Sequence, residues 1–224
     1  MANYTAPPLT VDGVVLQCID DVLQVLLIER QRAPFKGMWA LPGGYVDGHE
    51  TTGAALQRVL HTKAGLEVAD LTYVEQLYTF DTPAAQDPRG HAVSVVYYAL
   101  GRSFEAKPSD STESPTFVPV RDLPELAYQH KDIVLQALER LRGKALYTNI
   151  LWALLPPEFT LTQAQLVYEE VLGRRLDKRN FRKKFLQLGL VDATDNYQAD
   201  GAHRPARMYR FRQQHLQTLS RNFD

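Results

Sequence analysis

The sequence predicts an α+β fold built as two domains, and three observations support this prediction. Residues 1–143 alternate strand-like and helix-like segments, which is typical of a mixed sheet held between helices. Residues 144–224 instead indicate short helices followed by a hairpin. The charges divide at the same place, with 12 Lys+Arg and 18 Asp+Glu before it and 13 and 8 after it. A chain of 224 residues is long enough for two compact units, so we predict domains at 1–143 and 144–224.

The first domain opens with a predicted β-hairpin. Apolar runs at 11–19 and 22–29 flank the pair Asp20-Asp21, a polar break of the length that joins two antiparallel strands. Proline and glycine then mark a loop over 34–44, because both residues favour turns over regular structure.

The rest of the first domain combines helices and strands. The apolar face of 51–64 predicts a helix, and Gly65 is a suitable C-terminal stop because glycine tolerates the left-handed conformation. Strands are predicted at 71–80, 91–100 and 116–120. Apolar residues at helical spacing predict a closing helix at 132–142.

The second domain is predicted to hold three short helices. Residues 145–155 form an apolar helix that ends at Pro156-Pro157, since proline removes a backbone donor. Thr160 and Gln163 have the spacing of a capping box, which predicts the start of the next helix. Asp177 is a good N-cap for the third helix.

The third helix carries the basic surplus of this domain, whose net charge is +5 against −6 for residues 1–143. Phe181, Phe185 and Leu188 share one face, which is the predicted buried face. No acidic residue interrupts 178–187, whereas an ordinary solvated helix would mix in glutamate. The predicted DNA-contacting residues of this helix, suited to base edges and phosphates, are Lys178, Arg179, Asn180, Arg182, Lys183, Lys184 and Gln187.

A basic hairpin follows the third helix. A polar turn is predicted at 195–201, and the alternating run 203–212 is predicted to pair back as a strand. Arg204 and Arg207 lie at the predicted tip, where they would contact the phosphate backbone or a narrow minor groove. Helices followed by a basic hairpin are the order of a winged helix-turn-helix domain.

One spacing pattern in the first domain is specific enough to suggest a family. It consists of Gly44, Glu50, Arg58, Leu60, Gly65 and Leu66, preceded by a loop that contains Arg30, Pro34, Phe35, Gly37, Trp39, Leu41, Pro42 and Gly43. The pattern resembles the Nudix box and its preceding loop. The resemblance implies an α/β/α sandwich with a mixed sheet, in which the acid and the arginine brace the loop against the helix.

The box lacks three carboxylates that the Nudix family uses to hold Mg²⁺. The corresponding positions are Val59, Thr62 and Lys63, and an ammonium group repels a dication. We therefore predict no catalytic residue, no bound metal and no enzymatic activity. The alternative is an active hydrolase of ADP-ribose or a similar nucleoside diphosphate derivative, which would need carboxylates from elsewhere, such as Glu50, Glu67, Glu75 or Asp87.

A site without metal needs other groups to meet phosphate charge. Glycine amides approach phosphate closely because no Cβ intervenes, arginine pairs with its oxygens, and aromatic rings stack on a base. The predicted ligand-binding residues are accordingly Arg30, Arg32, Phe35, Trp39, Gly43, Gly44, Arg58 and Arg89.

The two halves together resemble the NrtR-type Nudix-related transcriptional regulators. The resemblance implies a homodimer that binds double-stranded operator DNA, represses genes of NAD metabolism and releases the operator on binding ADP-ribose or a related nucleotide. A sugar-responsive regulator of the same family stays open, as does a non-catalytic module that binds an acidic protein or RNA.

The expected compartment is the cytoplasm. Cys18 is the only cysteine, which excludes an intramolecular disulfide and fits a reducing environment. No apolar run approaches the roughly 18–20 residues needed to span a bilayer, and the N-terminus lacks the pattern of a signal peptide. We therefore expect no membrane partner.

Overall fold

The structure is a computed structural model that describes residues 6–85, 87–88, 90–107, 114–199, 205–220 and 223. The chain separates into two compact units. The first unit comprises Met1–Leu16 and Gln24–Ala137, and the second comprises Gln17–Leu23 and Leu138–Asp224. None of the helices in the described part of the chain is long and apolar enough to cross a membrane.

A seven-stranded sheet forms the centre of the first unit. Its strands are β1 (Leu9–Ile19), β2 (Val22–Glu29), β3 (Trp39–Ala40), β4 (Gly43–Tyr45), β5 (Tyr73–Thr82), β6 (Ala92–Gly101) and β7 (Pro115–Pro119). The main strand order is β3-β2-β1-β6-β5, with β4 paired to β1 and β7 paired to β2. The α+β class is confirmed, and the predicted loop over 34–44 contains two short strands in addition.

The predicted first hairpin is confirmed at its turn. Asp20 and Asp21 have φ values of 49° and 62°, the left-handed conformation that both central residues of a type I′ turn require. Aspartate tolerates this conformation better than most residues, because its short polar side chain bonds locally. The turn therefore follows directly from two residues of sequence.

Helix α1 (Thr52–Ala64) lies where the sequence predicts a helix. Thr51 caps its first turn by accepting a hydrogen bond from the Ala54 amide at 3.2 Å, and Gly65 ends it with φ of 62°. Its buried face consists of Ala55, Leu56, Val59, Leu60 and Ala64. Part of that face packs on the sheet through Val15, Leu26 and Ala99.

Helix α2 (His130–Tyr147) corrects the prediction of separate helices at 132–142 and 145–155. The helix continues through Gly143, where a Cβ would meet open space, and ends at Tyr147. The Thr148 hydroxyl donates to the Lys144 carbonyl at 2.7 Å, which satisfies an acceptor of the last turn. A 3₁₀ helix, Ile150–Ala153, then replaces the predicted second helix.

The second unit has the predicted winged-helix order. Helix α3 (Leu161–Leu172) begins with the predicted capping box, in which Thr160 and Gln163 exchange hydrogen bonds of 2.8 and 3.1 Å. Helix α4 (Lys178–Gln187) is capped by Asp177. A three-stranded antiparallel sheet in the order β8-β10-β9 completes the unit, and its strands are β8 (Phe159–Thr160), β9 (Val191–Gln198) and β10 (Ala206–Phe211).

The predicted polar turn at 195–201 is too long. Strand β9 continues to Gln198, because Tyr197 pairs with Arg207 and Gln198 with Ala206 in the antiparallel ladder. The hairpin itself is present as predicted, and only the lengths of its strands differ.

Aromatic rings fill the core of the second unit. Phe181 and Phe185 of α4 are both buried and stack on each other with centroids 5.3 Å apart. Tyr168 of α3 contacts both rings, and Phe159 adds a contact from β8. The predicted buried face of the third helix is therefore confirmed for both phenylalanines, while Leu188 is half-buried at the helix end.

Candidate functional site

A salt bridge braces the loop before α1 against the helix, as the Nudix resemblance implies. Arg58 Nε donates to Glu50 at 3.1 Å, its Nη2 contacts the other carboxylate oxygen, and Nη2 also donates to the Tyr45 carbonyl at 2.9 Å. The Asp47 amide donates to Glu50 at 2.9 Å. The hydrogen bond from Arg58, followed by that from the Asp47 amide, lowers the pKa of Glu50 below its ordinary value. The loop is thus held to α1 by the charged pair of Glu50 in the loop and Arg58 on the helix.

A cleft of about 390 Å³ lies beside this brace. The residues that line it include three predicted ligand-binding residues, Arg30, Gly43 and Gly44, and also Lys63. The structure therefore brings one arginine, two glycines and the lysine of the box together.

Sequence reasoning missed the polar floor of the cleft. Asp12 is 8% exposed, accepts a hydrogen bond from the Ser94 hydroxyl, and has its Oδ1 3.6 Å from His130 Nε2. The Leu41 amide donates to His130 Nδ1 at 2.9 Å, so Nδ1 is unprotonated and the neutral ring has its proton on Nε2, facing Asp12. An aspartate within the apolar run of β1 was the one signal available in the sequence.

A second cavity of about 340 Å³ shares residues with the cleft. The shared residues are Thr10, Asp12, Tyr128 and His130. The buried residue Asp87 also lines this second cavity. The site in the first unit therefore has two adjoining parts, with the Asp12–His130 pair in the walls of both.

Three other predicted ligand-binding residues are not among those that line the cleft, and they are Arg32, Phe35 and Trp39. Arg32 is exposed and offers its carbonyl to Arg30 at 3.4 Å. Phe35 packs edge-on against Tyr128 with centroids 4.8 Å apart, and Trp39 is half-buried on β3, where its carbonyl accepts from the Ala127 amide. Arg89 lies outside the described residues. Ligand contacts by all eight predicted residues stay predictions.

The three box positions do not fit a magnesium site. Val59 is 1% exposed and packs in a cluster with Val11 and Ala55. Thr62 donates its hydroxyl to the Arg58 carbonyl at 2.7 Å, and Lys63 lines the cleft with its ammonium-bearing side chain. Mg²⁺ prefers carboxylate, phosphate and water oxygens in octahedral geometry, which these side chains do not supply. Among the described residues, no group of three or more His, Cys, Asp or Glu is arranged to hold a metal.

The exposed face of α4 is the candidate nucleic-acid interface. Of the predicted DNA-contacting residues on this helix, all but one are exposed, and they are Lys178, Arg179, Asn180, Lys183, Lys184 and Gln187. Arg182 is half-buried, and its Nη2 donates to the Thr162 hydroxyl at 3.2 Å. Arg182 therefore ties α4 to the start of α3, in addition to any role at DNA.

Glu169 organises the turn between α3 and α4. Its carboxylate accepts hydrogen bonds of 2.8 Å from Gln165, 2.9 Å from the Leu176 amide and 2.8 Å from Arg175. Burial by itself raises the pKa of Glu169, but these hydrogen bonds and the charge of Arg175 outweigh it and hold the pKa below its ordinary value. The carboxylate therefore ties the end of α3 to the turn that precedes α4.

The hairpin supplies the remaining predicted DNA-contacting residues. Arg207 is exposed on β10, and its Nε donates to the Thr194 carbonyl of β9 at 3.1 Å. Arg204 lies outside the described residues. Of the two arginines predicted to contact DNA from the hairpin, Arg207 is therefore exposed in the described part of the chain.

The fold and the two sites define a Nudix domain joined to a DNA-binding winged helix. The NUDIX domain family matches residues 8–138, and the NrtR DNA-binding winged helix domain matches residues 151–211. The chain belongs to the NrtR family of Nudix-related transcriptional regulators. The resemblance inferred from the sequence is confirmed.

Similar proteins agree with this assignment. The chain is 39% identical over 217 residues to the ADPR responsive transcriptional repressor NtrR of Acinetobacter baylyi, covering 94% of this chain and 84% of that protein. It is similar to the crystal structure of Shewanella oneidensis NrtR complexed with a 27mer DNA, with a TM-score of 0.79, 32% identity, and coverage of 96% and 99% of the two chains. It is also similar to the Nudix domain of Shewanella oneidensis NrtR complexed with ADP ribose, with a TM-score of 0.56, 35% identity, and coverage of 62% and 90%.

Proposed function

We propose that this protein is a transcriptional repressor of NAD metabolism genes whose Nudix domain binds ADP-ribose without hydrolysing it. Binding of the ligand releases the operator. The observation that carries the proposal is the pairing, in one chain, of a cationic cleft without the box carboxylates and an exposed basic helix without acidic residues. A similar regulator is named as ADPR responsive, and a similar Nudix domain was crystallised with ADP ribose.

The identity of the effector is tested by measuring how ADP-ribose changes the affinity for the operator. A duplex selected from a random library for binding to the full chain serves as the labelled operator, and ADP-ribose is titrated into the complex. Allosteric coupling of about 1–3 kcal/mol corresponds to a roughly 5- to 150-fold loss of operator affinity. Unchanged affinity at saturating ADP-ribose removes it as the effector, and a response to sugar phosphates in its place favours the sugar-responsive branch.

Absence of hydrolysis is tested separately. The proposal expects no AMP from ADP-ribose with Mg²⁺ over many hours, because the box positions supply no carboxylate to a metal. AMP that is released by the wild type and lost in Glu50→Gln supports the active hydrolase instead. The Glu50→Gln comparison is needed because a trace of contaminating hydrolase would be insensitive to the substitution.

The DNA partner is tested through the salt dependence of binding. Neutralisation of phosphates releases counterions, so the affinity for duplex DNA falls steeply as salt rises. A flat response contradicts the basic helix as the contact surface. Equal affinity for single strands, RNA or an acidic protein favours the alternative of a general anion-binding module.

We further propose that the repressor acts as a homodimer in the cytoplasm, where the operator is. A palindromic operator requires twofold symmetry in the protein that binds it. Light scattering with and without operator measures this directly, and a mass near twice the 25.4 kDa of one chain is expected. A monomer at concentrations that saturate the operator contradicts the dimer.

A further inference from the structure

The residue that most alters the charge of the Nudix box is Lys63. Relative to the family pattern, the box here loses three carboxylates and gains one ammonium, so its charge changes by +4. That change equals the charge of two Mg²⁺ ions. The residues at the three metal-ligand positions thus give the box the same net charge that the family pattern has with two bound Mg²⁺ ions.

Lys63 lies in the cleft, where its charge can contact a bound ligand. It lies in the last turn of α1, is half-buried, and lines the cleft together with Arg30, Gly43 and Gly44. The side chain of lysine is a compact charge on a flexible stem, which suits contact with phosphate oxygens. The first box position contributes differently, because Val59 packs beneath Gly44, where a Cβ would lie 3.1 Å from Val59 Cγ2.

Arg30 is held in place on the other side of the cleft. Its Nε donates to the Pro34 carbonyl at 2.9 Å, and its guanidinium carbon lies 5.0 Å from the centroid of the Tyr128 ring. A guanidinium has five N–H donors, so these contacts fix its orientation and leave donors for a ligand. Arg30 is therefore ordered before any ligand binds.

One charge in the cleft opposes an anion. The Asp12 carboxylate lies in the floor, but it accepts a hydrogen bond from Ser94, and Nε2–H of His130 faces it at 3.6 Å. These contacts draw its negative charge away from the opening. The two cations exceed this single carboxylate, so the lining of the cleft has a net positive charge.

We propose that Lys63, together with Arg30, takes the place of the Nudix dication as the counter-charge of a diphosphate, so that the cleft binds the diphosphate without any metal. This inference rests on the proposed function, in which the ligand is a nucleoside diphosphate derivative. It adds a prediction that the proposed function does not make, namely that Mg²⁺ lowers the affinity for the ligand. The dication neutralises the free diphosphate, so Lys63 and Arg30 attract the complex less strongly than they attract the metal-free ligand.

The experiment is calorimetric titration of the full chain with ADP-ribose and, separately, with inorganic pyrophosphate. Each is measured in EDTA and in excess Mg²⁺. The wild type binds in EDTA and binds more weakly in Mg²⁺. Lys63→Gln loses about ten- to a hundredfold in affinity in EDTA, the size of a lost hydrogen bond to a charged group. Lys63→Arg retains most of the affinity because it keeps the charge.

Lys36→Gln is the matched control, since Lys36 is an exposed lysine outside the cleft lining and its loss removes the same charge from the protein. Wild-type affinity in Lys63→Gln, or a requirement for Mg²⁺, overturns the inference. Pyrophosphate that binds with the same dependence on Lys63 while ADP-ribose does not bind preserves the inference and removes the proposed effector. No binding of either probe in EDTA overturns the inference itself.

Discussion

Substitution of Gly43 by alanine tests the geometry of the cleft floor. Gly43 of β4 lies opposite Asp12 of β1 in the antiparallel ladder. A Cβ built on Gly43 would lie 1.9 Å from Asp12 Oδ1 and 2.9 Å from the Val11 carbonyl oxygen. Both distances are well below van der Waals contact. Either the two strands separate, or Asp12 rotates away from Ser94 and His130.

Both responses cost free energy. Overpacking of a close-packed site costs about 1–3 kcal/mol. Loss of the buried hydrogen bond between Ser94 and the Asp12 carboxylate costs roughly another 1–3 kcal/mol. Because the protein adopts one response or a mixture of the two, we expect Gly43→Ala to lower the free energy of unfolding by about 1–3 kcal/mol. The affinity for ADP-ribose should fall with it, since the distorted strand is a wall of the cleft.

The assay is urea unfolding followed by tryptophan fluorescence, with ADP-ribose titration of the folded protein. Gly48→Ala is the control, because a Cβ at Gly48 meets no atom within 4 Å. It makes the same chemical change a few residues away in the same loop region. If Gly43→Ala matches Gly48→Ala in both midpoint and affinity, the close contact between β1 and β4 does not constrain the site and the reasoning is wrong.

Three further predictions concern the second unit. Replacement of Lys183 and Arg179 by alanine should weaken duplex binding at least tenfold and leave ADP-ribose affinity intact, and retained operator affinity in a filter-binding or anisotropy assay would show that α4 is not the reading helix. Tyr168→Phe should raise the free energy of unfolding by about 1 kcal/mol, because the hydroxyl is fully buried without a hydrogen-bond partner among the described residues; a loss of stability in urea would reveal a missing partner. Glu169→Gln should destabilise the protein at neutral pH. Because the folded pKa of Glu169 is lowered, its contribution is present above the ordinary carboxyl pKa and is lost as pH falls through the folded value, so the difference from wild type should shrink in acid, and a difference independent of pH would exclude the charge as its cause.

Local signals in the sequence were sufficient for much of the fold. Asp20-Asp21 predicted the first turn, Gly65 the end of α1, and Thr160 with Gln163 the start of α3. Each of these depends on backbone chemistry within a few residues, which a single sequence displays. A local signal also gave one wrong prediction. Gly143 suggested a break between two helices, but α2 continues through this residue.

The residues in the floor of the cleft could not be predicted from such local signals. Asp12, Ser94 and His130 come from β1, β6 and the start of α2, and no local spacing connects them. Arg182 is a related case. Its position on the helical wheel placed it at the edge of the DNA-facing side, but the wheel contains no information about Thr162 on the preceding helix. Both the cleft floor and the role of Arg182 depend on contacts between segments that are distant in the sequence.

The burial of Val59 has a consequence for the history of such proteins. A glutamate at this position would bring a carboxylate into an apolar cluster with Val11 and Ala55, under the backbone of Gly44. Without a metal to bind, that charge would be costly, and the metal in turn needs acidic residues at Thr62 and Lys63 as well. Glutamate at Val59 alone would therefore reduce stability before a metal could bind.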